Sequence, residues 1–249
     1  MTDEVRGSAD PALLFCAQIG CRCFEDRLPP VAARNVRCQL PLTVRSQQAS
    51  CELMRTILNN RNLLGLVLAL PAIGLMLGYW RGQIDTMDMI HPTGEWSARL
   101  MILAMIISPL AAVLGPQAWL LWLALRRRWI GVAAFAYAVL HLSFYLIDMG
   151  NLEDILAELP APGIWTGWAA LLLMLPLALT SNDAAMRRLK AGWKRVQRLA
   201  YPSAVLVLLH WIWVHNSFTA AFLHFIPLAL LTLMRLAKPL IRPLKAQGV

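Results

Sequence analysis

The fold class this sequence predicts is an all-α membrane protein, a bundle of six transmembrane helices, and three observations predict it. Hydrophobic residues make up 58% of the chain and charged residues only 15%, against about 25% charged in soluble domains. Six apolar runs punctuate residues 63–236, each roughly 16–18 residues long, near the lower limit for crossing ~30 Å of hydrocarbon. The segments between them alternate in charge, basic on one side and acidic on the other. The net charge of +9 therefore reads as a topology signal rather than a nucleic-acid footprint. The chain carries neither a nucleic-acid-binding motif nor a Gly-rich phosphate loop.

The first span covers 63–80 and contains Pro71 and Gly74. The second covers 98–114, the third 130–147, the fourth 164–180, the fifth 199–214 and the sixth 220–236. Helices this short are tolerated when they pack in a bundle and the bilayer adapts. The run 119–125 is too short to span and is expected to be an interfacial piece between spans two and three. Arg126, Arg127 and Arg128 follow span two. Arg187, Arg188, Lys190, Lys194, Arg195 and Arg198 lie between spans four and five, and Lys238, Arg242 and Lys245 follow span six. The opposite side holds Asp85, Asp88, Glu95, Asp148, Glu153, Asp154 and Glu158, with Arg81 as its positive charge. The positive-inside rule then places both termini in the cytoplasm.

Residues 1–53 differ from the rest. They hold all five cysteines (Cys16, Cys21, Cys23, Cys38 and Cys51) and no long apolar run. The Cys21–Cys23 pair lacks a CxxC-like spacing and nearby histidines, so free thiols are expected rather than zinc ligands. The stretch lacks the usual n-region and h-region of a signal peptide. Met54 leads through a short basic segment into the first span, as a start codon would. The division expected is an N-terminal extension, 1–53, disordered or not translated, followed by a membrane domain, 54–249.

Chemistry concentrates in the histidines. His141 lies eleven residues into span three and His210 eleven residues into span five. Both spans begin at a basic boundary, so at about 1.5 Å rise per residue both imidazoles reach a depth of roughly 16 Å. Two neutral imidazoles at one level of a helix bundle are what a bis-histidine haem requires. Ionisable groups inside membrane segments mark function by default. The bland reading of a helix histidine is a hydrogen-bonded packing residue, and that reading is kept for His215 and His224. Trp211 and Trp213 beside His210 read as interfacial belt residues. His91, in His-Pro-Thr-Gly, sits where Pro92 and Gly94 signal a turn before span two. A second ligand, a quinone contact and a capping turn all remain open for it. The spans contain neither a GxSxG elbow nor intramembrane carboxylates of the kind proton-coupled transporters use.

From His91 to the end of span six, four blocks resemble the MsrQ family, formerly YedZ, which has a ferric-reductase-like transmembrane domain. They are His91-Pro-Thr-Gly with Ile-Ile-Ser-Pro-Leu at 106–110; Arg-Arg-Arg-Trp-Ile-Gly at 126–131 running into Leu-His-Leu-Ser-Phe-Tyr at 140–145; Leu-Ala-Leu-Thr-Ser-Asn at 177–182 with Arg188 and Trp193; and Tyr201 through Leu-His-Trp-Ile-Trp at 209–213. The resemblance implies a haem b protein of the bacterial inner membrane, with His91, His141 and His210 matching family histidines. It also implies electrons drawn from the quinone pool, a bound FMN, and delivery to MsrP, a periplasmic molybdopterin enzyme that reduces methionine sulfoxide in oxidised proteins. The family's further histidine, in a Trp-x-x-x-His pattern, is replaced here by Gln197 after Trp193. Glutamine is a poor haem ligand, so a single outer haem is expected. Arg188, Trp193 and Gln197 are candidates instead for a flavin phosphate or a quinone headgroup, because Arg binds phosphate oxygens bidentately and Gln offers both a donor and an acceptor.

The function expected is an electron-transfer subunit with no substrate-reducing site of its own, embedded among lipids and serving an MsrP-like partner. Its rivals are a ferric-reductase-like haem protein with another acceptor, and a non-redox transporter or assembly factor with structural histidines.

Overall fold

A computed structural model describes residues 60–115, 117–215 and 218–245. Among them the regular elements are helices joined by short turns. The long helices are α1 (Arg61–Trp80), α2 (Thr86–Leu114), α3 (Ala118–Met149), α5 (Pro162–Leu179), α8 (Ala200–His215) and α9 (Phe218–Lys245). Three short ones join them: α4 (Leu152–Glu158), α6 (Asp183–Leu189) and α7 (Ala191–Gln197). The expectation for residues 1–53 lies outside the described residues.

The boundaries follow local chemistry. The Asn60, Asn151 and Asn182 side chains accept from backbone N–H groups of the first turns of α1, α4 and α6, which satisfies donors that a helix start leaves open. Pro162 stands in the first turn of α5, where its missing N–H costs nothing. Gly150 closes α3 in the left-handed conformation, φ 69°, which a Cβ would disfavour.

Five helices are long and apolar enough to cross a membrane: Asn62–Trp80, Thr86–Leu114, Ala118–Met149, Pro162–Leu179 and Phe218–Ala237. The helix over the expected fifth span, α8, has 16 residues and falls short of that length. Two sequence expectations are corrected. Residues 119–125 are not a separate interfacial piece but the start of α3, which runs unbroken through Arg126–Arg128 for 32 residues. At roughly 48 Å such a helix outreaches the hydrocarbon, so its arginines need no chain break to reach a polar boundary. Likewise His91-Pro-Thr-Gly is no turn: α2 begins at Thr86 and passes through both Pro92 and Gly94.

Helices α2 and α3 form the most extensive pairing, α5 and α8 the next, and α9 packs along α2. The core between them includes Leu100, Met101, Ile107, Ile130, Ala134, Met174, Trp211 and Phe225. Helix α1 lies outermost, with Leu66, Val67, Leu70 and Leu77 exposed. It is fastened at its proline. The Tyr137 hydroxyl of α3 accepts from the Ala72 N–H at 2.8 Å and donates to the Leu68 carbonyl at 3.0 Å. It thus inserts into the 72-to-68 rung of the ladder beside Pro71. Backbone groups in lipid must find such partners within the protein.

Candidate functional site

His141 and His210 face each other across a cavity between the α2–α3 and α5–α8 pairs. Their ring centroids are 6.0 Å apart and their planes cross at 83°. Each ring is anchored on the neighbouring helix. His141 Nδ1 lies 2.7 Å from the Ile90 carbonyl of α2, and His210 Nδ1 lies 2.6 Å from the Gly163 carbonyl of α5. A carbonyl only accepts, so each Nδ1 carries the hydrogen and each Nε2 carries the lone pair, the tautomer that metal-ligating histidines show.

Close approach explains two glycines. A Cβ on Gly94 would fall 2.9 Å from His141 Nδ1, and one on Gly167 would fall 2.8 Å from His210 Nδ1 and Cε1. Only a residue without a side chain lets each imidazole lie against the adjacent helix. The cavity is otherwise mostly apolar, lined by residues such as Ala98, Ala138, Leu142, Trp168 and Leu171. His91 and Glu95 line it as well.

The arrangement fits a haem. Metal–imidazole bonds are about 2 Å long, so two rings on opposite sides of one metal have centroids roughly 6 Å apart. Among the described residues no group of three or more His, Cys, Asp or Glu side chains is placed to hold a bare metal ion. Two facing imidazoles suit a metal that brings its remaining donors with it.

His224 is arranged differently. Its Nδ1 lies 2.8 Å from the Ala220 carbonyl of its own helix, and its Nε2 receives the Arg99 Nε–H at 3.4 Å. Both ring nitrogens thus have protein partners, and the ring packs on Trp211 at 5.1 Å. Arg99 also pairs with Glu95. Sequence reasoning passed over this Glu95–Arg99–His224 cluster because its members lie on α2 and α9, far apart in the chain. The expectation for His215 lies outside the described side chains.

A second cavity lies toward the basic end of the same helix pairs. It is open on one side and is lined by Arg127, Arg128, Trp193, Lys194, Gln197, Arg198 and Arg235 among others. Met174 borders both cavities. Gln197 and Trp193 have structural work here. The Gln197 amide donates to Thr180 Oγ1 at 3.2 Å and to the Leu177 carbonyl at 3.4 Å, and Trp193 Nε1 donates to the Thr180 carbonyl at 2.9 Å. These are end carbonyls of α5, which a helix C-terminus leaves without intrahelical partners. Arg188 is exposed on α6 and is not among the lining residues. Arg128 pairs with Asp183 at 2.7 Å, and Arg127 donates to Ser108 at 2.8 Å.

Residues 93–226 match the family model described as the ferric reductase like transmembrane component. A protein of Xanthomonas oryzae pv. oryzae named protein-methionine-sulfoxide reductase heme-binding subunit MsrQ is 43% identical over 139 residues, 55% of this chain and 62% of that one. A protein of the same name from Xanthomonas axonopodis pv. citri is 41% identical over the same length. Another of that name from Polaromonas naphthalenivorans is 33% identical over 179 residues, 68% of this chain and 80% of its own. The chain thus spans somewhat under two thirds of the Xanthomonas relatives. No solved structure matches.

Proposed function

We propose that this chain, which belongs to the MsrQ family of ferric-reductase-like transmembrane proteins, binds haem b between His141 and His210 and passes electrons from the quinone pool to a periplasmic molybdopterin enzyme that reduces methionine sulfoxide in proteins. The observation that carries the reading is the pair of imidazoles, each anchored at Nδ1 and set 6.0 Å apart. The haem would supply one-electron chemistry. His141 and His210 would hold it through their Nε2 atoms, with the Nδ1 hydrogen bonds fixing both rings and the mostly apolar lining surrounding it. His91, on the rim of the same cavity, is the third histidine of the proposed site. Methionine sulfoxide repair consumes electrons, so a membrane carrier suits such a partner.

The second cavity is the proposed entry point for electrons. Its basic residues and Trp193 suit a quinone headgroup or FMN, with Gln197 at its wall. Arg188 sits beside this region on a basic surface suited to anionic lipid headgroups. In this reading α8 is a sixth span. Its 16 residues cover roughly 24 Å, enough where the bilayer thins around a packed bundle. Both termini then lie in the cytoplasm and the histidine cavity in the outer half of the inner membrane.

A reduced-minus-oxidised visible spectrum of the purified protein tests the cofactor: b-type bands are expected, and their absence would leave a structural pair of histidines. A reporter active only in the periplasm tests the topology. It should be silent when fused after Val249 and active in the loop near Glu153; the reverse pattern would invert the bundle.

A further inference from the structure

The two halves of the histidine cavity are built alike. Gly94 and Gly167 are 73 residues apart, and His141 and His210 are 69 apart. Shifting α2–α3 by these offsets onto α5–α8 superposes a whole set of contacts. The single hydroxyl hydrogen of Thr93 is shared between the Met89 and Ile90 carbonyls, 2.7 and 2.9 Å from Oγ1, and that of Thr166 between the Pro162 and Gly163 carbonyls at the same two distances. Ile90 and Gly163 are also the carbonyls that receive His141 and His210. One turn deeper, Ser97 Oγ reaches the Ala134 carbonyl, and in the other half Ser203 Oγ reaches the Ala170 carbonyl. These are equivalent position pairs with the donor exchanged between helices. Both threonines are fully buried.

We propose that Thr93–Gly94 and Thr166–Gly167 are paired positioning devices that lock the two axial imidazoles at right angles. This rests on the haem reading above. A ring held only through Nε2 turns freely about its metal–nitrogen bond. Here the Nδ1 side of each ring is fixed twice, by a hydrogen bond and by contact with a helix at a glycine. The threonine hydroxyl bridges that same carbonyl and the one before it with its single hydrogen, which orients the turn that presents the carbonyl. Because each half carries its own copy of the device, each ring takes its plane from its own helix pair, and the planes cross at 83°. Thr93, Gly94, Thr166 and Gly167 are positioning residues: they act on the histidines and not on the reacting atoms.

Ring orientation is readable without any turnover assay. In low-spin ferric haem, crossed axial imidazoles give a strongly anisotropic electron paramagnetic resonance signal dominated by one low-field feature. Parallel rings give a resolved rhombic three-line spectrum. The wild-type protein, purified in detergent with its haem counted by pyridine haemochrome, should give the low-field signal. A rhombic spectrum at full haem occupancy would overturn the crossed geometry and leave the haem reading intact. Absence of haem would instead remove the haem reading, and the proposal with it. Gly94→Ala and Gly167→Ala should each shift the signal toward rhombic or lose haem while still eluting as a monodisperse protein. An unchanged signal at full occupancy in both would overturn the positioning role. If either alanine variant aggregates, Thr93→Val and Thr166→Val decide. They remove the hydroxyl at nearly constant volume, and the low-field signal should shift in each; no shift in either would likewise overturn the role.

Discussion

The two cavities share the same helix pairs yet differ in what they present. The histidine cavity, the outer one in the proposed topology as the basic cavity is the inner one, sets His141 opposite His210 in a mostly apolar wall. Thirteen residues before His141 and His210 in the chain stand Arg128 on α3 and Gln197 at the end of α7, and both line the inner cavity. On α3 Arg128 and His141 stand roughly 20 Å apart, whereas Gln197 ends α7 and a turn at 198–199 separates it from the α8 that carries His210. Only the outer level carries imidazoles. At the inner level one position is tied to Asp183 and the other to the end of α5. The duplicated helix pair therefore supplies the geometry of the histidine level, while at the other level the chain breaks before α8 and different residues line the wall.

Removing the proposed haem ligands should give the largest effect. His141→Ala and His210→Ala should each abolish most of the bound haem, because the facing imidazole alone gives one axial bond. His224→Ala should leave the haem bands nearly unchanged, since Arg99 and the Ala220 carbonyl already occupy its ring nitrogens. Full haem in both single ligand variants, measured against protein by absorbance, would erase the distinction between the two levels.

Converting the inner level comes next. Gln197→His alone should add no haem, because its counterpart is Arg128 and not a second imidazole. Arg128→His with Gln197→His should raise the haem-to-protein ratio if the repeat is as regular there as it is above. Extra haem from the single change would show that the levels are not related as described. The single variant should also slow quinol-driven reduction of the outer haem by at most about tenfold, the equivalent of one lost hydrogen bond of about 1.4 kcal/mol. An unaltered rate would remove Gln197 from the electron path.

Much of the outer site was legible because membrane helices are simple rulers. Counting from the basic boundary put His141 and His210 at one depth, and the structure faces them across one cavity. The punctuation signals misled. Pro92 and Gly94 read as a turn, yet α2 runs through both: the glycine is there for the His141 ring and not for a bend. The three arginines read as a loop, yet they are a turn of α3. The repeat itself was written in the chain, as Thr-Gly followed at nearly equal distance by Leu-His, but two matching dipeptides stand out only once their contacts are known. The Glu95–Arg99–His224 cluster left no local pattern, since α9 meets α2 only in the folded bundle.

The scaffold common to both cavities can be loosened without touching either. Tyr137→Phe should destabilise the protein by about 1–3 kcal/mol, the cost of leaving buried backbone groups unpaired. It strands the Ala72 N–H and the Leu68 carbonyl beside Pro71. Thermal unfolding in detergent would read the change. A neutral result would mean the α1 ladder closes on itself once the hydroxyl is gone.

The smallest effect compares the halves directly. Ser97 Oγ meets the Ala134 carbonyl at 2.9 Å, and Ser203 Oγ meets the Ala170 carbonyl at 3.3 Å. Interhelical hydrogen bonds in membrane bundles contribute about 0.6 kcal/mol on average. Ser97→Ala and Ser203→Ala should therefore each cost under about 1 kcal/mol, with the shorter bond costing more. Each substitution removes a donor and leaves a carbonyl whose helix can still use it, so no group is stranded as in Tyr137→Phe. The two sites lie in different helix pairs, and their effects should add in the double variant. Haem occupancy should hold in all three proteins, because the His141 and His210 anchors at Ile90 and Gly163 are untouched. Loss of haem from either serine variant would mean that these bonds help set the ligand level, and that the two cavities differ by more than the residues at their walls.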